Sequence, residues 1–384
     1  PRPDVSNINL QVNLQRFDKD LFDIDTTNIT DEQLYKLQNQ YGSFFDFYVS
    51  QFVIGPRPAG DTANIQNEAL HRFLTDAYIN RIQTAINKKF ADTKEVEEEL
   101  TQSLKYFKHY VPEMQVPRVV TINSGFSIGA FTYENNTLGI GLDQYLGPNY
   151  TDYDSAGVYS YLQHKMRPEY INRNAMEVLY NLYFGDEELS RGKQLVEAMV
   201  DKGKKVYFLS YVLPDAPDSL IVGFTATQTA WCEANEVEIW KFLNDKDLLY
   251  KDNYMDQKRY LDEGPGITGM PAEAPGNLGS WIGLQIVRQF MKETGNNISL
   301  HDLLTKYDAK TILQKARYRP SKSVFWYSQN HIFEHTQPGG SMLDTKGKEQ
   351  WYDKLIRIFN STVCFVLAYA IITFGGFFSM AMVG

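Results

Sequence analysis

The chain has 384 residues, 43% hydrophobic and 22% charged, which is enough apolar material for a sizeable core and excludes global disorder. Its net charge is −9 with no basic block, which argues against nucleic acid as a partner. The two cysteines, Cys232 and Cys364, fall in an apparent helix and an apolar tail, so no disulfide framework is expected, and no C-x-x-C or Cys/His zinc array occurs.

Residues 1–6 read as a tether, and a start at Pro1 rather than Met fits removal of a leader. Ile8, Leu10, Val12 and Leu14 alternate with Asn9, Gln11, Asn13 and Gln15, a period-two strand with one wet face. Thr30 then precedes an apolar pattern through Leu34, Leu37, Tyr41, Phe44, Phe45 and Tyr48, which predicts helix broken near Gly42. Gly55-Pro56-Arg57-Pro58 is a loop. Helix is predicted over 62–90 and over Lys94–Tyr110, where early glutamates suit the helix dipole. Strands are predicted at Val116–Asn123, Phe126–Tyr133 and Leu138–Leu142, with Glu134-Asn135-Asn136 as a hairpin turn. Tyr145, Tyr150, Tyr153, Tyr159 and Tyr161 crowd the next loop, either as a protein-binding surface or as packing within the domain. Helices follow at Pro168–Tyr183, Glu187–Asp201 and Thr225–Leu243, with a strand at Lys205–Val212.

The clearest helix punctuation lies in Ala274–Pro320. Pro275-Gly276 breaks the chain, Asn277 is placed to cap, and Leu278, Trp281, Ile282, Ile286 and Phe290 recur at helical spacing. Gly279 and Gly283 share a face and would let another backbone approach. Gly295 is a stop, Ser299 with Asp302 marks a second helix start, and Asp308 marks a third that ends before Pro320. Residues 321–350 read as a linker. Ser361–Gly384 carries no charge. At ~1.5 Å per residue a helix of that length would cross a ~30 Å bilayer core, so 351–384 is expected to be a lead-in and transmembrane helix.

Chemistry-bearing strings are few. His331-Ile332-Phe333-Glu334-His335 matches H-x-x-E-H, in which two histidines four apart on a helix hold zinc and the glutamate activates water. Gln337-Pro338-Gly339-Gly340 cuts any helix just after it. Gly125-Phe126-Ser127-Ile128-Gly129 matches a nucleophile elbow literally but sits in strand-like sequence. Glu233, Glu236 and Glu238 cluster on a helix, with Glu236 on the same face as Trp240. No H-E-x-x-H occurs, and the helix Pro168–Tyr183 carries Glu169, Arg173 and Glu177 but no histidine.

Several stretches resemble the gliding-motility lipoproteins of the GldB type from Bacteroidetes. They are Arg16-Phe17-Asp18, Ile140–Gly147, Gly203-Lys204-Lys205-Val206-Tyr207, Trp231, Asn235-Glu236, Ile239-Trp240, Gly264-Pro265, Pro275–Val287 and Tyr318-Arg319-Pro320. The resemblance runs from about Val5 to Pro320. It implies a relative of zinc-dependent proteases in which Pro168–Tyr183 stands where the metal-binding helix would be, without its histidines. The implied chain is an α+β, mostly helical zincin-like domain over 7–320 with a small mixed or antiparallel sheet. Its implied role is a non-enzymatic, membrane-anchored, periplasm-facing scaffold for gliding and type IX secretion. The expected partners are the membrane and other envelope proteins of that system, with no cofactor, metal or catalytic residue. The alternative is a zinc metallopeptidase using His331, Glu334 and His335.

Overall fold

Branched residues at Val119, Val120, Ile122, Leu138 and Ile140 build a small sheet that is buried on both faces. A computed structural model of the chain describes residues 2–55, 64–134, 136–185 and 192–320. The strands β1 (Leu14–Gln15), β2 (Arg118–Ile122), β3 (Ala130–Tyr133) and β4 (Thr137–Gly141) are ordered β1-β2-β4-β3. β1 and β4 run parallel to β2, while β3 folds back antiparallel on β4 as an edge hairpin, Phe131 opposite Gly139.

One face of the sheet is covered by α1 (Phe17–Phe22), α2 (Asp31–Tyr41), α3 (Ser43–Tyr48) with its continuation Val49–Ile54, and α4 (Asn64–Thr75). Here Val120, Ile122 and Phe131 meet a ring cluster centred on Phe17. Its ring lies edge-on to Tyr41 and Tyr48, both at 4.8 Å between centroids. The flanking Arg16 and Asp18 are paired in two nearly parallel hydrogen bonds of 2.9 and 2.8 Å. Asp18, 1% exposed, also accepts from Thr121 Oγ1 and Gln83 Nε2, so Arg16-Phe17-Asp18 is a structural lock between α1 and the sheet.

The other face carries Val119, Leu138 and Ile140 into the main core. α5 (Ala77–Lys89), α6 (Lys94–Tyr110), α7 (Asp152–Ser155), α8 (Glu169–Phe184), α9 (Leu195–Val212) and α10 (Asp218–Val222) follow in order. α11 (Ala226–Ala234), α12 (Glu236–Asp245), α13 (Tyr254–Leu261), α14 (Leu278–Glu293), α15 (Leu300–Lys306) and α16 (Ala309–Ala316) complete the described chain. α9 and α14 are the central pair. They cross with backbones in contact, because a Cβ on Gly283 would lie 1.7 Å from the Met199 carbonyl oxygen and one on Gly203 would lie 2.1 Å from the Gly283 carbonyl carbon. Gly279 likewise faces the Tyr260 carbonyl, so the small-residue face expected on α14 is used by two neighbours.

Several expectations are corrected. Lys205–Val212 is the second half of helix α9, not a strand, and the helix before it begins at Leu195 rather than Glu187. Most of α9 is buried, so its apolar residues show no one-sided period, and the β-branched and aromatic run read as strand. Thr225–Leu243 is two helices, broken at Asn235, whose Nδ2 turns back to the Trp231 carbonyl at 2.8 Å. Of the first predicted strand only Leu14–Gln15 pairs with the sheet. Val12 N–H and Leu14 N–H instead donate to Thr101 and Glu97 of α6. Asn277 sits in the left-handed region (φ 57°) and caps no backbone N–H; its side-chain oxygen accepts from Ser280 Oγ.

The expected C-terminal transmembrane helix also falls away. Among the described residues no helix is long and apolar enough to cross a membrane. The apolar α14 has 16 residues and spans only ~24 Å against a ~30 Å core. The 18-residue α9 carries Glu197, Asp201, Lys202, Lys204 and Lys205. The uncharged stretch 361–384 lies outside the described residues, as does the linker expected at 321–350. The fold is thus a mostly helical α+β domain with a small mixed sheet.

Gly283→Ala must push α14 off α9, because the obstacle is backbone rather than a side-chain tip. Overpacking of this kind costs about 2 kcal/mol or more. Urea unfolding should therefore show a lowered midpoint at unchanged slope, and a wild-type midpoint would contradict the contact.

Candidate functional site

α8 begins just after Pro168 and packs on β3, and one of its turns carries the half-buried Arg173, Asn174 and Glu177. Arg173 and Glu177 are four apart, so they share a face, and the guanidinium is paired with the carboxylate at close range. Lys205 of α9 reaches the other Glu177 oxygen at 3.0 Å. Asn174 Nδ2 donates to the Tyr145 hydroxyl at 3.0 Å, which ties α8 to the end of the sheet. Arg173 Nε points to the Ile221 carbonyl of α10.

Beside this pair stands a second. Lys165 Nζ meets Glu263 at 2.6 Å, and Asn277 Nδ2 approaches the same Glu263 oxygen at 3.4 Å. Gly223 makes the room: a Cβ there would lie 2.8 Å from Lys165 Nζ, and its φ is 90°. The Gly223 carbonyl faces His164 Nε2 at 3.3 Å. The Lys165, Arg173 and Lys205 side chains keep 17, 12 and 11% of their surface, Glu177 25% and Glu263 40%, so the group lines a shallow recess open to solvent.

The electrostatics follow from this crowding. Burial alone would raise the Glu177 carboxyl, but Arg173 and Lys205, with Lys165 behind them, outweigh it and hold Glu177 far below the usual carboxylate range. Burial lowers Lys165, opposed by Glu263 and assisted by Arg173. Burial also lowers His164, opposed by the Gly223 and Tyr161 carbonyls that its ring nitrogens face.

Asp143 is fully buried just after β4. It accepts from Ser124 N–H at 2.8 Å, Ser124 Oγ at 2.7 Å and Phe126 N–H at 2.5 Å. Burial pushes Asp143 up to about 6 against the pull of these donors. The loop it grips explains the late start of β3 and includes Ser127, whose hydroxyl donates to the Ser124 carbonyl at 2.7 Å. That turn is held for its shape, and no nucleophile elbow forms. Of the crowded tyrosines, Tyr145 and Tyr153 are buried. Tyr159 and Tyr161 stack on each other at 5.4 Å, with Tyr159 58% exposed.

Other sequence candidates resolve differently. Glu236 accepts from the Tyr318 hydroxyl at 2.6 Å and Trp240 lies edge-on to Tyr318, so the shared face of Glu236 and Trp240 anchors the end of the domain. Glu233, on α11, has no place in the recess, and Glu238 is buried on α12. His331, Glu334 and His335 lie outside the described residues. Among the described residues no three His, Cys, Asp or Glu side chains are grouped to hold a metal ion. Among the described residues, open clefts elsewhere include one of about 760 Å³ lined by Tyr110, Tyr207, Tyr211, Glu113, Ser299 and His301, and one of about 640 Å³ lined by Trp240, Tyr318 and Arg317. In the first, His301 Nε2 faces Glu113 at 3.6 Å and Ser299 Oγ caps the Asp302 N–H, so the imidazole and the hydroxyl are engaged with other groups.

Lys165, Lys205 and Glu263 were missed as site residues. Lys205 was hidden by the strand reading, and Lys165 and Glu263 are 98 positions apart, with Gly264-Pro265 as the one local signal of a constrained loop.

Glu177→Gln leaves Arg173 and Lys205 facing a neutral amide. At pH 7 it should cost about 1–3 kcal/mol, scaled down from a sealed ion pair because the carboxylate is partly solvated. A depressed folded-state pKa stabilises above the unfolded value and is lost as pH falls through the folded one. The gap between wild type and variant in urea midpoint should therefore be full at pH 7 and shrink as pH drops below about 4. A gap independent of pH would refute the ion-pair assignment.

No curated protein and no solved structure matches the chain. The family model described as gliding motility protein GldB matches residues 1–320, the whole of the folded unit that holds this recess and the motifs that build it. The chain belongs to the GldB family of gliding-motility lipoproteins.

Proposed function

We propose that the chain is a non-enzymatic, membrane-anchored envelope protein that supports gliding motility and type IX secretion as a scaffold or assembly factor. The family supports a role in gliding and association with the cell envelope. The finer reading, a binding scaffold on a degenerate metalloprotease-like fold, rests on one observation. At the turn of α8 where the resemblance would place paired imidazoles, the side chains are Arg173 and Glu177, closed on each other and on Lys205. A guanidinium is no metal ligand, and a carboxylate held by two cations is a poor base. Such a cluster recognises charge and shape. It faces the periplasm in this reading, with partners among the other gliding and secretion components.

Deleting the chain from a gliding host should abolish surface spreading and reduce type IX export, both restored by the full chain. Mass spectrometry of the envelope proteins should show the same termini in the two strains. Normal spreading would sink the motility role, and a processing product that depends on the chain would sink the scaffold in favour of a peptidase.

A further inference from the structure

The recess has a feature that a plain structural ion-pair network does not require. Three cationic side chains, Lys165, Arg173 and Lys205, come together with Glu177 and Glu263, in a chain whose net charge is −9, and Arg167 stands by over the Tyr170 ring. Glu177 is held from two sides and is a fixed part of the wall. Glu263 is different. It is the most exposed member of the group, it projects from the Glu263-Gly264-Pro265-Gly266 loop between α13 and α14, and it meets Lys165 through one ion pair. It can leave by side-chain rotation alone, without moving α13 or α14.

Two further polar groups point the same way. The wholly buried Tyr170 hydroxyl has the Arg167 guanidinium beside it, 5.6 Å from the ring and facing the phenolic oxygen, while the hydroxyl proton and Arg167 Nε find no acceptor. The Tyr170 hydroxyl lies within electrostatic reach of Arg167, Arg173 and Glu263. A buried hydroxyl and a buried guanidinium N–H without acceptors, next to a removable carboxylate, are donors kept for an oxyanion. The stacked rings of Tyr159 and Tyr161 lie on the segment that leads into Lys165, and the Tyr161 carbonyl faces His164 Nδ1 at 2.8 Å while His164 Nε2 faces Gly223. Exposed stacked tyrosines offer contact area at small entropic cost, which suits a peptide more than a free ion.

We propose that this recess receives a carboxylate presented by a polypeptide partner, and that Glu263 occupies it in the free protein as an internal stand-in. The partner's carboxylate displaces Glu263 from Lys165, takes donors from Lys165 and the Tyr170–Arg167 side, and lays its neighbouring residue on Tyr159. The internal occupant is itself a carboxylate, which identifies the ligand chemistry. The proposal rests on the reading of the chain as a binding protein.

The test is calorimetric titration of the purified chain at constant ionic strength. The probes are a tetrapeptide of neutral residues with a free C-terminal carboxylate, its C-terminal amide, an amidated version carrying one Asp, and inorganic phosphate. Saturable binding of a carboxylate peptide is expected, with the neutral amide at least about 10-fold weaker (roughly 1.4 kcal/mol). In Glu263→Gln the competing internal anion is gone, and the carboxylate peptide should bind about 10-fold tighter, as removal of a self-occupied state predicts. Lys165→Met should lose the binding, with its urea midpoint measured alongside to show that it is folded. Glu263→Gln is the independent check, because that side chain is too exposed to hold the fold together. Equal binding of acid and neutral amide, or no gain in Glu263→Gln, would overturn the proposal. Phosphate binding as tight as the peptide's would overturn the polypeptide source. Cleavage of the bound peptide would instead defeat the non-enzymatic reading and leave the carboxylate recognition standing, so the two failures are distinguishable.

Discussion

The rest of the domain depends on the crossing of α9 and α14 at Gly203 and Gly283. Two helices in ordinary contact keep side chains between them. Here the carbonyl of Met199 lies where a Cβ of residue 283 would be, so the axes approach as closely as backbones allow. That proximity sets Met199 against Gly279 and Gly283, while Phe208 on the same helix α9 meets Phe107, Tyr180 and Phe184 of α6 and α8. It also fixes the rotation of α9. With Gly203 turned toward α14, Lys204 reaches the terminal carbonyls of α15 at Leu304 and Tyr307, and Lys205 turns to Glu177 on α8. Three consecutive residues thereby serve three neighbours, which accounts for the Gly203-Lys204-Lys205 motif.

A second constraint sits at the sheet. Asp18 and Asp143 are both buried, and each is satisfied by several donors. Asp18 joins α1 to β2, and Asp143 shapes the loop that precedes the edge hairpin. A buried carboxylate stripped of these donors would be costly, so each rigidifies its surroundings rather than offering reactivity. The recess on α8 lies between these rigid parts. Tyr145 binds Asn174 from the sheet side, Lys205 approaches from the central helix pair, and Glu263 arrives on a loop backed against Gly276. Its charges are preorganised by elements distant in sequence.

Much of the architecture was legible in the residues. Thr30, Ser299 and Asp308 cap helices as their types and spacing implied. The three strands after Val116 were found in order, and the close-approach face of Gly279 and Gly283 is real. Capping and turn chemistry are local, so a few adjacent residues suffice to reveal them. Two of the corrections share a cause. Lys205–Val212 and the segment before Leu14 were assigned from periodicity, yet periodicity reports how many sides are buried, not what buries them. A helix buried all round and an extended segment packed on a helix both defeat it.

By itself, the order of residues determined that this is an acidic α+β chain with a capped helical module at Ala274–Pro320, and its motifs pointed to the GldB family that the matched span bears out. Only the tertiary structure decided where its charges meet. Lys165, Arg173, Lys205 and Glu263 lie on four different segments, and no spacing rule connects them. Coulombic pairing depends on distance through space, and for Lys205 that distance follows from the helix crossing at Gly203, two residues before it.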